Sequence, residues 1–276
     1  MPLSKDDFSP DYWDRFSGLA RLYGLAGLHR LSRARIAVVG VGGVGSWTAE
    51  SLARSGVGHL ALVDLDEICI TNTNRQVHAL DGEVGRFKAS ALVERLRRIH
   101  PGGEFVEALA FFTENTAERL LAPGYDCVVD AIDRIPDKAC LIAACVERGI
   151  PVVVAGGAGG KRRPAEIAVG DLAATSNDGL LRLVRRELRK RYGFPEADSG
   201  KLFGVRAVYS REVASFPWSD GTVRSEAEPG AALRLNCDTG FGTSSAVTGT
   251  FGLAAAAEAI EAVLGVGLEG TGGKFG

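Results

Sequence analysis

The chain contains no CxxC pair. Its five cysteines, Cys69, Cys127, Cys140, Cys145 and Cys237, are scattered over 276 residues. An odd, dispersed set argues against a disulfide framework and for a reducing compartment. Charge of one sign is also lacking, because 32 basic and 34 acidic residues leave a net charge of −2. That balance gives no global signal for nucleic acid, so any such contact must be local. The opening segment, MPLSKDDFSPDYWDRF, is polar and acidic and lacks the apolar core of a signal peptide. One stretch, 240–257, is apolar or small throughout, but threonines and serines lie in it and beside it. A membrane span needs about 20 strongly apolar residues. The stretch therefore reads as a buried helix, with the chain cytoplasmic and no membrane as partner.

What is present is a core and a glycine-rich turn. The chain is 46% hydrophobic, enough for one α/β domain with insertions or for two small lobes. Ile36–Val39 reads as a buried strand, Ser46–Ser55 as a helix, and Leu60–Val63 as a second strand that delivers Asp64. Between strand and helix, Gly40, Gly42, Gly43 and Gly45 allow the backbone to approach a phosphate closely. The helix N-terminus beyond them offers N–H groups to negative charge. Asp64 is placed to accept hydrogen bonds from ribose hydroxyls. To this point NAD and ATP fit equally well. Asp66, Asn72, Asn74, Arg75 and Lys88 then load the site with polar and cationic groups. Hydride transfer has little use for Arg75 and Lys88, whereas phosphoryl or nucleotidyl chemistry does.

Further along, helices are expected at 1–35, 85–100, 113–121, 138–148 and 180–192, and strands at 105–108, 127–131 and 152–155. This alternation predicts a Rossmann-like, doubly wound, mostly parallel α/β sheet with a C-terminal crossover or second lobe. Four regions follow: an N-terminal helical segment at 1–35, a nucleotide-binding core at 36–160, a basic crossover at 161–240, and a return helix with a flexible tail at 241–276.

Taken together, GVGGVGSWTAESLARSGVG, LVDLDEICITNTNRQ, GRFKA and VVDAID resemble the adenylation domain of the ubiquitin-activating-enzyme superfamily. TNTNRQVHAL, IPVVVAGGAGG, SDGTV and the pair NCDTGFGT and GTFGLAAA are similar to the bacterial tRNA threonylcarbamoyladenosine dehydratase family. The resemblance implies ATP-dependent adenylation of a carboxylate, followed by intramolecular ring closure on tRNA. It implies that the Gly42 turn, Asn72, Arg75 and Lys88 hold phosphates, that Asp64 holds ribose, and that Asp133 holds Mg2+. It also implies a homodimer in which Arg15, with Arg21 second, reaches the partner's site. A sulfur-transfer or desulfurase partner fits the same resemblance. Sulfur-carrier adenylating relatives bind zinc through two CxxC pairs; these are missing, so no tetrahedral site is expected and that rival is disfavoured. Cys237 reads as a small buried thiol. An NAD-dependent dehydrogenase and an inert nucleotide-bound assembly protein are the remaining rivals.

The most basic segment is LLRLVRRELRKRYG. Arg182, Arg185, Arg186 and Arg189 fall at i, i+3, i+4 and i+7, and Lys161, Arg162 and Arg163 precede them. Such a face binds RNA phosphates by counterion release, or is simply solvated. Tyr192, Phe203 and Trp218 are equally open as base-stacking or core residues.

Overall fold

The computed structural model describes residues 3–229 and 241–268. Five short apolar runs become parallel strands: β1 Arg35–Val39, β2 His59–Val63, β3 Glu104–Ala108, β4 Cys127–Asp130 and β5 Val152–Ala155. Two more join the same sheet, β6 Ile167–Asp171 and β7 Arg206–Ser210. The order is β3-β2-β1-β4-β5-β7-β6, with β6 antiparallel to β7. The stretch after 160 thus extends the first sheet. A small hairpin, β8 Phe216–Pro217 and β9 Val223–Arg224, stands apart from it.

Side chains alternate along each strand, and both faces are covered. Ile36, Val38, Leu60, Leu62 and Val129 face one core, built with α2 Gly43–Arg54, α3 Lys88–Ile99 and α7 Ser245–Leu264. Ala37, Val39, Val63, Val128 and Val154 face a second core, with α4 Glu114–Leu121, α5 Ile135–Glu147 and α6 Gly179–Tyr192. Burial on both faces is why the central strands read as continuous apolar runs. The helix α1 Pro10–Arg33 is capped by Ser9 and kinked at Gly24, where φ is 73°. Its aromatic residues Tyr12 and Phe16 pack on His100, and the Tyr12 hydroxyl donates to Gly56 O at 2.8 Å.

Two helices start later than their sequence pattern. The stretch before Lys88 is extended because Glu67 bridges to Phe87 and Ile68 N donates to Arg86 O. Residues 241–244 stay outside α7 because their carbonyls have other partners: Gly160 N donates to Gly242 O, and Asn74 Nδ2 to Thr243 O. The apolar α7 is long enough to cross a membrane by composition, but one face of it is buried against α2 and the sheet.

Candidate active site

The strand order reverses between β1 and β4, whose carboxyl ends open a crevice in folds of this kind. A cavity of about 720 Å3 lies there. Its floor is the glycine turn. Gly40 has φ 84°, and a Cβ on Gly45 would stand 1.8 Å from Gly40 O, so neither position admits a side chain. Gly42 is the N-cap of α2 and brings no side-chain acceptor to the helix's first turn. Those N–H groups and the helix dipole favour an anion.

Asp64 ends β2 and ties the turn to the sheet. Its Oδ2 accepts from Val41 N and its Oδ1 from Asp66 N, both at 2.8 Å. Burial pushes its carboxyl above the usual range, against the pull of those two N–H groups. Each oxygen retains a lone pair for a ribose hydroxyl. Asp66 braces the loop, because its Oδ2 accepts from Lys88 Nζ at 2.8 Å. Lys88 is buried to 8% exposure and lines the cavity from the first turn of α3.

Asn72 is buried and its Oδ1 accepts from Cys69 N at 3.0 Å, shaping the turn that presents the next residues. Arg75 donates to Thr71 O at 2.7 Å and to Asn74 Oδ1 at 3.0 Å. Its own carbonyl accepts from Trp47 Nε1 and Thr248 Oγ1. Arg75 is therefore held from α2 and α7 together. Asn72, Asn74, Arg75 and Lys88 all line the one cavity.

Asp133 lies three residues beyond Asp130, the last of β4, exposed on the cavity wall. Asp130 is fully buried. Its Oδ1 accepts from Ile132 N at 3.0 Å and from Lys138 Nζ at 3.1 Å, and Lys138 also donates to Asp130 O. The two acids thus divide their work, one shaping the turn and the other facing the cleft.

The profile of the ThiF family matches residues 16–275. The chain belongs to the ThiF family. The tRNA threonylcarbamoyladenosine dehydratase of Escherichia coli is 44% identical over 256 residues, covering 92% of this chain and 95% of the relative. That of Haemophilus influenzae is 41% identical over 255 residues, with 92% and 95% covered. The structure of the E. coli enzyme in complex with ATP aligns at 40% identity with a TM-score of 0.81, covering 93% of this chain and 96% of that one.

The fold brings the glycine turn, Arg75 and Lys88 to one cavity, but not every expected residue. Arg15 stands on the α1 face near His100, at the amino ends of the strands, and pairs with Asp11 at 2.9 Å. It does not line its own chain's cavity. Lys161 is a correction. It is 4% exposed, and its ammonium donates to the carbonyls of Asn177 and Glu212, so it is a structural brace and not an RNA contact.

The arginine face also divides. Leu181, Val184 and Leu188 are buried, which draws the flanking Arg185 and Arg189 inward. Arg185 donates to Thr175 Oγ1, and Arg189 donates to Pro195 O at 2.9 Å and lies over Phe203. Arg162, Arg163, Arg182 and Arg186 remain exposed. Cys237 lies outside the described residues.

Among the cavity residues that sequence reasoning passed over are Gln76, Phe111, Thr248 and Phe241. Gln76 follows Arg75 within the TNTNRQ motif, so a signal was there. Phe241 likewise lies within NCDTGFGT, whereas Phe111 carries no local signal, because only the sheet order brings it to the cleft.

Proposed function

We propose that this chain activates the threonyl carboxylate of N6-threonylcarbamoyladenosine in the tRNA anticodon loop with ATP, and that the activated acid closes on itself with net loss of water. The observation that carries this reading is the convergence of Arg75, Lys88, Asn72 and Asp133 on the glycine turn, in a chain aligned almost end to end with the dehydratases.

The carboxylate oxygen attacks the α-phosphorus of ATP and pyrophosphate leaves. Negative charge grows on the phosphate oxygens, and Lys88, Arg75 and the α2 N-terminus are positioned to stabilise it. Asp64 holds the ribose of ATP. The ureido nitrogen of the same substituent then attacks the acyl carbon, the acyl–phosphate bond breaks, and AMP departs with the electron pair. A nucleophile in the same molecule reaches effective concentrations of about 10⁵ M or more, so no thioester is required.

Asp133 fits Mg2+. This ion takes one or two carboxylates together with phosphates and waters. The described residues hold no cluster of three or more acidic, His or Cys side chains that would make an all-protein cage. The ion would neutralise phosphate charge when bound. Arg15 does not line its own chain's cavity; in a homodimer it would serve the partner's cleft. Four free cysteines among the described residues accord with a cytoplasmic setting.

The test is incubation of the protein with ATP and threonylcarbamoyladenosine-bearing tRNA, followed by mass spectrometry of the nucleosides. The expected product is lighter by one water, with AMP and pyrophosphate formed in equal amounts. An unchanged nucleoside under conditions that support ATP–pyrophosphate exchange would remove the proposal.

A further inference from the structure

The proposed reaction brings two adenosines into one cavity, one from ATP and one from the tRNA, and Asp64 is placed for the ribose of the first. Across the sheet order the cavity runs from Phe111 and Phe112, after β3, to Gly156–Gly159, after β5. Phe111, half-exposed, flanks the Asp64 end. Lys88 pairs with Asp66 beside Asp64, Arg75 lines the same cavity, and β4, which carries the Asp133 turn, stands between β1 and β5.

The far end has different chemistry. Its wall is Ala155–Gly159, closed by Leu180 and Phe241. Gly157 N is already bonded to Asp178, and Gly160 N to Gly242 O. Phe241 sits directly on the glycine wall: a Cβ on Gly159 would come within 2.8 Å of the Phe241 Cβ. Arg134 and Asp137, which line the cavity, are paired with each other at 3.0 Å, and the Asp178 carboxylate stands behind the glycine wall with its Oδ2 taken by Gly157 N. Such a surface suits a flat, uncharged group with a π-face. Phe241 also packs on Phe216, with ring centroids 5.2 Å apart, but unlike the other aromatic candidates it lines the cavity. Phe203 is buried against Phe194, and Trp218 lies under Arg224 at 3.6 Å. Tyr192 packs on the second core, and none of the three lines the cavity.

We infer that the Gly156–Gly159 end is the subsite for the modified purine of the RNA substrate, with Phe241 as its stacking surface. The inference rests on the proposed function. It orients the reaction, because the acid substituent then crosses β4 towards the α-phosphate.

Steady-state kinetics with full-length protein test it. Phe241→Ala is expected to raise KM for the modified tRNA about tenfold, the scale of one lost base–aromatic stack, with KM for ATP unchanged. Phe241→Trp should restore the tRNA value. Phe111→Ala should show the opposite split. As a second measurement, fluorescence anisotropy of a labelled anticodon stem-loop carrying the modified base, with a non-hydrolysable ATP analogue present, should report the same loss for Phe241→Ala. Equal effects on both substrates, or none on the tRNA, would overturn the subsite. A wild-type protein that leaves the nucleoside unchanged would instead remove the functional reading and the inference with it.

Discussion

Lys138 and Asp130 form an ion pair with neither side chain exposed, the ammonium 3.1 Å from Oδ1, directly beneath the turn that presents Asp133. Asp130 Oδ2 has no hydrogen-bond partner among the described residues. Burial pushes the Asp130 carboxyl up to about 6, with Lys138 pulling the other way. A buried pair is a weak source of stability but a costly one to break, because the survivor is left uncompensated.

Lys138→Met is therefore expected to destabilise the fold by about 3–5 kcal/mol near neutral pH. The sign with pH follows from the raised Asp130 value. Its contribution to stability is fully present below about 3.8 and is lost as pH rises through about 6. Without Lys138 the carboxyl rises further, so the variant's deficit should be smaller at pH 5 than at pH 8. Urea denaturation of both proteins at the two pH values checks this. Equal deficits would contradict it.

His78 carries the opposite dependence. Burial, then Lys88 and Arg95, hold its imidazole down at about 4, and neither ring nitrogen has a partner among the described residues. Its contribution is present above the ordinary value of 6.5 and is lost as pH falls through about 4. His78→Leu should change stability at pH 7 by under about 1.5 kcal/mol. It should also flatten the loss between pH 6.5 and 4. An unchanged acid limb in the variant would count against the assignment.

If Lys88 and Arg75 hold the phosphates as proposed, Lys88→Ala and Arg75→Ala should each lower turnover about 10²-fold or more, the scale of losing one transition-state donor. The Lys88–Asp66 pair, with Asp66 half-exposed, is worth under about 1 kcal/mol to the fold. Circular dichroism should then show both variants folded. Full turnover in either one would refute its role.

The divided arginine face gives a fourth expectation. Arg182→Ala with Arg186→Ala should weaken tRNA binding and lower the salt slope by about 1–2, since each exposed cation neutralises about one phosphate. Arg185→Ala should lower thermal stability instead, because its guanidinium holds Thr175 and Leu172. Filter binding over a salt series, beside thermal melts, separates the two. Identical salt slopes for wild type and the double variant would make that face merely solvated.

Most of the framework was legible along the chain. Strands β1 to β5 fall within one residue of the expected ranges; β1, β2, β4 and β5 are legible because a strand buried on both sides writes itself as consecutive apolar residues. The glycine turn and the Asp64 loop were legible for a similar reason, since a close backbone approach excludes side chains locally. Strands β6 to β9 were not. Ile167–Asp171 is half-exposed at a sheet edge and lacks a continuous apolar run.

Sequence alone thus determined the Rossmann-like core and its glycine turn, from patterns within a few turns of chain, and nominated Arg75, Lys88 and, through the resemblance, Asp133 as chemistry-bearing residues. Tertiary structure alone decided which basic residues face solvent, that Lys138 is a buried brace, and that Phe241 closes the far end of the cleft. Those outcomes depend on contacts between distant segments, such as Asn74 with Thr243, 169 residues apart. Burial is a property of what packs against a side chain, and local spacing does not encode it.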